Sequence, residues 1–292
     1  LVAKGITPPK VYAHSECLVT HIEDILNGRK REILNNHGSC GMGIHQTIVR
    51  SVDSFKYRYY NIRLDPKQFN DNVCKYYYIS DFYNDFYKKY LDDLYFMNEH
   101  IEIVNNFQDS DFFKNYDEVI FEGAQGLQLS EDAPNFPHVT HSFTGMKNIK
   151  HMLKCFDSVE VCYVSRCYQT RHGNGPLDHE MSISEWFDIV DETNLPNEWQ
   201  GSMRFAPLNV SKLIMAISSD IYNHGTSNKN IKYTFAMTCI DQINDIDTSK
   251  IPVIYGNNVV HVNGITLLLD IKNILSSLSV GFKYEFDNIT NG

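Results

Sequence analysis

Runs of apolar residues that stop at glycine or polar clusters mark out the elements of this chain. Val119-Ile120-Phe121 predicts a buried strand feeding into Glu122-Gly123-Ala124-Gln125-Gly126, where two glycines let the backbone turn sharply and approach a ligand. Val159-Glu160-Val161-Cys162-Tyr163-Val164-Ser165 predicts a second buried strand. Tyr233-Thr234-Phe235-Ala236-Met237-Thr238 predicts a third, ending at Cys239-Ile240-Asp241-Gln242, and Lys10-Val11-Tyr12-Ala13-His14 a short one. Leu18, Ile22, Ile25 and Leu26 recur at helical spacing and predict an amphipathic helix over residues 18–30. A further helix is expected from about 210 to 221. Helical periodicity also runs through Asp81-Phe82-Tyr83-Asn84-Asp85-Phe86-Tyr87 and Tyr90-Leu91-Asp92-Asp93-Leu94, where the aromatic stripe reads as packing.

Strands ending in polar loops imply an α/β fold, with a largely parallel central sheet, flanking helices and one domain over 1–292. In such sheets the carboxyl ends of the strands open onto the ligand crevice, so Glu122 and Gln125 are expected to face a pocket. The composition agrees with a sizeable core: 292 residues, 42% apolar and 13% aromatic. With 36 acidic against 26 basic residues the formal net charge is -10, which argues against nucleic acid or an anionic membrane surface as partner. No apolar run approaches the length of a membrane span. Seven scattered cysteines without paired spacing read as reduced thiols of a cytoplasmic protein.

Candidate chemistry sits in the loops. Asn36-His37-Gly38-Ser39-Cys40-Gly41-Met42-Gly43-Ile44 suits a turn whose amides and hydroxyl cradle a phosphate, although a tight connection is the commoner explanation of such a pattern; Arg50 just beyond favours the anion. Pro134-Asn135-Phe136-Pro137-His138-Val139-Thr140-His141-Ser142 predicts an extended loop presenting Thr140 and Ser142 as hydroxyl donors. His138 and His141 lack a third ligand, which argues against a metal there. Thr170-Arg171-His172-Gly173-Asn174-Gly175-Pro176 is another glycine-bearing loop at a strand end, and Trp199-Gln200-Gly201-Ser202-Met203-Arg204-Phe205 precedes the helix near 210.

Taken in order, Gly38-Ser39-Cys40-Gly41-Met42-Gly43, Phe121-Glu122-Gly123-Ala124-Gln125-Gly126, Pro137-His138-Val139-Thr140, the loop from Thr170 to Pro176, Arg204 and the turn from Thr238 to Asp241 resemble adenylosuccinate synthetase. The resemblance implies a ligase of purine nucleotide biosynthesis. Such enzymes pass the γ-phosphate of GTP to the six-position oxygen of IMP, and the amine of aspartate then displaces it to give adenylosuccinate. It implies Mg²⁺ with GTP as co-substrate, and a cytoplasmic homodimer.

Carried onto this sequence, the resemblance gives Gln125 and Thr140 to the purine nucleotide, Thr140 at its 5′-phosphate, with Ser39 and Cys40 in the phosphate loop. Cys40 stands where the family usually has threonine, so a weak thiol donor replaces a hydroxyl. Arg50 resembles the arginine that reaches the nucleotide of the neighbouring subunit. Arg204 matches an arginine gripping the carboxylates of aspartate, but Gln200 and Ser202 stand close by in a loop where the family carries further arginines. Asp241 falls at the acidic residue that reads guanine, and Cys239 replaces the expected lysine, which relaxes the choice of donor towards ATP. Ile289-Thr290-Asn291-Gly292 resembles the start of the closing nucleotide loop, which places Gly292 at the triphosphate.

Nothing before Gly38 resembles the family's opening glycine-rich loop, which supplies the catalytic Asp, Lys and His and the metal contacts. His14 and His21 read as ordinary strand-end or surface histidines. The chain is thus expected to be a synthetase fold of P-loop type without its opening strand and loop, and without metal ligands of its own. Two alternatives stand beside the IMP ligase: a viral-type synthetase acting on dGMP, working in the host cytoplasm, and a non-catalytic nucleotide-binding or oligomerising relative.

Overall fold

The computed structural model describes residues 4–53, 65–80, 85–105, 107, 110–189, 194–225 and 230–278. The chain divides into two compact units, Leu1–Val119 and Ile120–Gly292, a finer division than the one domain over 1–292 expected from the sequence.

In the first unit β1 (Val11–His14) pairs in parallel with β2 (Ile101–Val104), Val11 opposite Ile101 and His14 opposite Val104. Helices α1 (Ile22–Asn35), α2 (Ile44–Asp53), α3 (Pro66–Tyr76), α4 (Asp85–His100) and the single turn α5 (Ser110–Phe113) complete it. Its apolar core is small: Val19, Phe69, Val73 and Leu94, with Ala13, Tyr90, Leu91, Ile101 and Ile103 against them. Asp65 starts α3 by accepting the Gln68 amide at 3.1 Å, and Pro66 fills the first helical position, where no N–H is needed.

Helix α1 starts later and runs further than residues 18–30, because its ends are set by caps. His21 Nδ1 accepts the Glu23 amide at 3.1 Å while Asp24 Oδ2 accepts the His21 amide at 2.8 Å, a reciprocal capping box. Asn36 ends the helix in the left-handed region (φ 47°), its amide donating to the Glu32 carbonyl at 2.8 Å. The helix does not bury an apolar stripe. It buries Glu23 and Asp24, and Ile33 and Leu34 are exposed.

The second unit is built on a bent strand. Its first part, β3 (Ser158–Arg166), pairs in parallel with β6 (Asn230–Thr238), from Ser158 opposite Asn230 to Arg166 opposite Thr238. At Cys167, whose amide still donates to the Thr238 carbonyl at 3.1 Å, the chain turns and continues as β4 (Tyr168–Arg171), antiparallel to β5 (Arg204–Asn209). Strand β5 then pairs in parallel with β7 (Ile251–Tyr255), and β7 pairs antiparallel with β8 (Asn258–Val262). Between β2 and β3 lies the short helix α6 (Met146–Ile149). Asn209 caps α7 (Val210–His224) by accepting the Lys212 amide at 2.9 Å, and Asn263 caps α8 (Gly264–Ser277) by accepting that of Thr266 at 2.7 Å. Leu208, Ile217, Ile251, Val253, Leu267, Ile271 and Leu275 form the centre of a core whose fully buried side chains contribute about 1.5–3 kcal/mol each.

The fold is mixed α/β with parallel pairs and flanking helices, but the single central sheet is not what the described strands form. They make three sheets: β1-β2, β3-β6 and β4-β5-β7-β8. Val119-Ile120-Phe121 is not a strand. It straddles the boundary of the two units and joins no ladder among the described residues, and Ile120 is 84% exposed; an apolar run outside a ladder gains little from extension. Strand β3 forms as expected but is not buried. Tyr163 is inside, whereas Val164 is 64% exposed, since a two-stranded sheet covers little of either face. Residues 81–84 of the expected aromatic helix lie outside the described residues, and 85–94 fall in α4. No helix among the described residues is long and apolar enough to cross a membrane.

Candidate functional site

Residues 121–144 of the second unit close on themselves. Gly123 has the Thr144 carbonyl 3.0 Å from where a Cβ would stand, so the two legs of the loop meet at a position that only glycine fills without a shift. Thr144 Oγ1 donates to the Gly126 carbonyl at 3.1 Å, the Thr140 amide to the Leu129 carbonyl at 2.8 Å, and the Glu131 amide to the Ser142 carbonyl at 3.0 Å. The loop is anchored from outside by Asp220 of α7. Its carboxylate accepts the Met146 amide at 3.1 and 3.2 Å and the Tyr163 hydroxyl at 2.9 Å. Burial, with the Asp220 charge and hydrogen bond, drives the Tyr163 pKa upward, so this hydroxyl stays a donor. Gln125 and Glu122 are exposed at the mouth of the loop and Thr140 is half-buried upon it. The side chains of Gln125 and Thr140 make no hydrogen bond among the described residues and are available to a ligand.

Beside this loop two arginines face each other. Arg171 and Arg204 are partners in the antiparallel register of β4 and β5. Arg171 donates from Nη2 to the His138 carbonyl at 2.9 Å and from Nε to the Asn174 carbonyl at 3.1 Å, so it ties the Thr140 loop to the glycine loop at 173–175. Burial and the neighbouring Arg204 both push its pKa down. Gly175, at φ +114°, leaves only 2.4 Å between a would-be Cβ and Arg171 Nη2. Arg204 is held on both edges. Its Nη1 donates to the carbonyls of Gly173 and Gly175 at 2.9 and 3.0 Å, while Nε and Nη2 donate to the two Glu180 oxygens at 2.9 and 2.5 Å. That hydrogen-bonded pair raises the Arg204 pKa and lowers that of Glu180.

Asp241 sits on a one-turn 3₁₀ helix (Ile240–Gln242) after β6, entered through Cys239 at φ 61°. The turn is fixed by the Cys167 thiol against the Cys239 carbonyl at 3.0 Å and by Tyr168 Oη donating to Gln242 Oε1 at 2.5 Å. The Asp241 carboxylate itself is exposed and has no partner among the described residues. Gly292 and the residues before it, 289–291, lie outside the described residues.

In the first unit the Ser39–Cys40 stretch links α1 to α2. Ser39 Oγ accepts the Gly41 amide at 3.4 Å, Arg29 Nε donates to the Gly41 carbonyl at 3.1 Å, the Gly38 amide donates to Glu32, and Cys40 is exposed. Gly43 (φ +74°) lets the two helices meet. A Cβ there would stand 2.6 Å from the Ile25 nitrogen. Part of the glycine pattern therefore serves helix packing. Arg50 lies on α2, as its position suggested, but its side chain is fully buried. Nε and Nη2 donate to Asp24 at 2.9 and 2.6 Å and Nη2 also to the Val19 carbonyl at 2.8 Å. In this arrangement the guanidinium does not reach outward, a correction to the expectation of an intersubunit contact.

His21 corrects the sequence reading further: it is a buried capping residue, not a surface histidine. Glu180 and Asp220 act on partners at least 24 residues away, which no local pattern encodes, and Asp24, besides its local cap on His21, does the same on Arg50. Among the described residues no group of three His, Cys, Asp or Glu side chains could hold a metal ion.

Residues 11–199 match the sequence profile of the family described as Adenylosuccinate synthetase. The chain is 28% identical over 204 residues to the adenylosuccinate synthetase of Aquifex aeolicus (strain VF5), covering 68% of this chain and 44% of that protein. It is 37% identical over 86 residues to that of Blochmanniella floridana, covering 25% of this chain and 18% of that protein. Its fold is similar to the fully ligated adenylosuccinate synthetase from Plasmodium falciparum, with a TM-score of 0.59 at 16% identity, over 87% of this chain and 61% of that chain. The chain thus spans less than two thirds of the length of these relatives. With a matching profile over more than half of its residues, the chain belongs to the adenylosuccinate synthetase family.

Proposed function

We propose that this chain serves a purine-nucleotide ligase joining L-aspartate to IMP. A nucleoside triphosphate gives its γ-phosphate to the six-position oxygen; the aspartate amine then attacks C6, the C–O bond breaks, and inorganic phosphate leaves with adenylosuccinate as product. The observation that carries the reading is the self-closed loop with Gln125 at its mouth and Thr140 upon it, both side chains unengaged, tied by Arg171 to the glycine turn at 173–175. A hydroxyl and an amide held on a fixed backbone suit a nucleotide, because positioning is most of what such a transfer needs.

In this reading Gln125 and Thr140 hold the purine nucleotide, Ser39 and Cys40 lie at phosphate, Asp241 and Gly292 at the triphosphate, and Arg204 at aspartate. Asp241 supports its part by presenting an unpaired carboxylate on a pinned turn, which suits the donors of a guanine edge. Arg50 holds α1 to α2, and the homodimer rests instead on the exposed apolar side chains Ile33, Leu34, Val49 and Val52. Mg²⁺ would neutralise phosphate charge when bound, and no described residue set is assigned to it. A cytoplasmic location belongs to the same reading.

Thermal unfolding with IMP, dGMP, GTP, ATP and aspartate, singly and together, tests it. A ligand at 100 times its Kd stabilises by about 2.7 kcal/mol. Stabilisation by IMP but not dGMP, lost in Gln125→Ala and Thr140→Ala, is the expected result; dGMP alone would move the assignment to the guanine nucleotide. A folded chain that no purine nucleotide stabilises would sink the proposal.

A further inference from the structure

The environment of Arg204 contains a carboxylate already. Glu180 meets its Nε and Nη2 edge with both oxygens, at 2.9 and 2.5 Å, the side-on fork in which a guanidinium takes any carboxylate. The opposite edge is fixed by the Gly173 and Gly175 carbonyls, so Arg204 keeps its place whether or not Glu180 is there. With four N–H directions spent, it has no second fork to offer a ligand. Arg171, its cross-strand partner, has two carbonyl acceptors and no carboxylate among the described residues. Like charges directly opposite are unfavourable on a sheet, so this pair calls for anions.

Glu180 is lightly held. Its side chain is 44% exposed, it lies in a segment without helix or strand, and the residue before it, His179, adopts φ 56°. The segment is tied to the body by the Met181 amide on the Phe205 carbonyl at 3.1 Å and by Asp178 paired with Lys212. Water competes for both members of a half-exposed ion pair, so an incoming carboxylate can exchange for Glu180 readily.

We propose that Glu180 is a resident counter-ion standing in the place of a substrate carboxylate, and that a dicarboxylic acid binds this unit by displacing it from Arg204. No covalent step is involved: one carboxylate leaves the fork for water and another enters. Two guanidiniums in register then face two carboxylates, one on Arg204 and one on Arg171. The identity of the acid as aspartate rests on the ligase reading above. The exchange does not.

Calorimetric titration of the full chain with succinate and with L-aspartate, on the wild type, Glu180→Gln, Glu180→Ala and Arg204→Met, tests the proposal, with thermal unfolding of each variant as a check on folding. Both Glu180 variants are expected to bind succinate about two- to fivefold more tightly than the wild type, the range released when an exposed pair no longer competes. Arg204→Met is expected to lose binding. If Glu180 instead braces Arg204, both Glu180 variants bind more weakly. Weaker, equal or absent binding in folded Glu180→Gln overturns the proposal. Stabilisation by IMP or dGMP, measured on the same proteins, separates the two claims. Nucleotide binding without tighter succinate binding removes only the exchange, and tighter succinate binding without nucleotide binding removes only the ligase reading.

Discussion

Asp24 and Arg50 are both inaccessible to solvent and share two hydrogen bonds, of 2.9 and 2.6 Å, that join α1 to α2. Burial alone would raise the Asp24 pKa; the hydrogen bonds and charge of Arg50, with the Tyr77 hydroxyl, more than reverse that and hold it below the usual carboxylate value. Asp24→Ala leaves a buried guanidinium without its counter-ion and should cost about 3–5 kcal/mol. The double variant Asp24→Leu with Arg50→Met should lose much less, since two apolar groups replace a desolvated pair. Urea unfolding of the three proteins checks this. A double variant as unstable as Asp24→Ala would show that the loss does not come from the orphaned guanidinium.

The His21 cap makes stability depend on pH. Its Nδ1 accepts the Glu23 amide, and Nε2 lies 3.1 Å from Asn70 Oδ1, an arrangement that suits the neutral ring. Burial, chiefly, lowers its pKa from 6.5 to about 4. The folded value lies below the unfolded one, so the folded chain binds fewer protons between them. This contribution is complete above about pH 6.5 and disappears as the pH falls to about 4; the shift corresponds to about 3 kcal/mol. Asp24, also depressed, is protonated at still lower pH. Denaturation between pH 7 and 4.5 should show the slope in the wild type and a flatter one in His21→Asn, which keeps a capping side chain. Equal slopes in both would exclude His21 as the titrating group.

Gly145→Ala should unfold more easily by about 1–3 kcal/mol, because its Cβ would stand 2.3 Å from Asp220 Oδ1 and 2.8 Å from Leu127 Cδ2. The same change in an Asp220→Ala background should cost less than it does alone. Thermal midpoints of the two singles and the double decide the matter, and strict additivity would mean that the clash is relieved elsewhere.

Thiol reactivity should divide the cysteines. Cys17, Cys40 and Cys162 are exposed, whereas Cys74 and Cys167 are buried, and burial pushes both of the latter thiols up to about 12. Native labelling with an alkylating reagent, read by peptide mass, should mark the first three within the time that leaves the buried pair intact. Early labelling of Cys167 would mean that the bend between β3 and β4 opens readily.

Much of the second unit could be read from the chain because its signals are local. The apolar runs near 160 and at 233–238 and the helix expected from about 210 each rest on signals within a few residues. The stretch over 134–142 was legible as a loop, but it folds into turns rather than extending, with the His138 amide on the Asn135 carbonyl at 2.8 Å. What escaped depends on distant partners. The run at residues 119–121 has the composition of a strand but joins no ladder among the described residues, and Phe121 packs edge-on against Phe156 instead. Glu23 and Asp24 look like a solvated face until Tyr87 and Arg50 are found beside them. Arg50 has the character of an anion ligand, and its anion turns out to be 26 residues upstream in the same chain. Glu180 gave no signal, because its meaning lies in an arginine 24 residues further on.

The bend at Cys167 fixes chain length as strictly as it fixes shape. Residues 158–166 keep step with β6 and residues 168–171 with β5, so one uninterrupted segment satisfies two independent registers. One residue inserted or deleted at the bend would leave the first register intact and carry every β4 side chain to the opposite face. Arg171 would turn away from both Arg204 and the His138 carbonyl. Insertions and deletions in natural or laboratory variants of this chain should therefore collect on either side of residues 158–171, and a shortened or lengthened bend should break the candidate site before it breaks the fold.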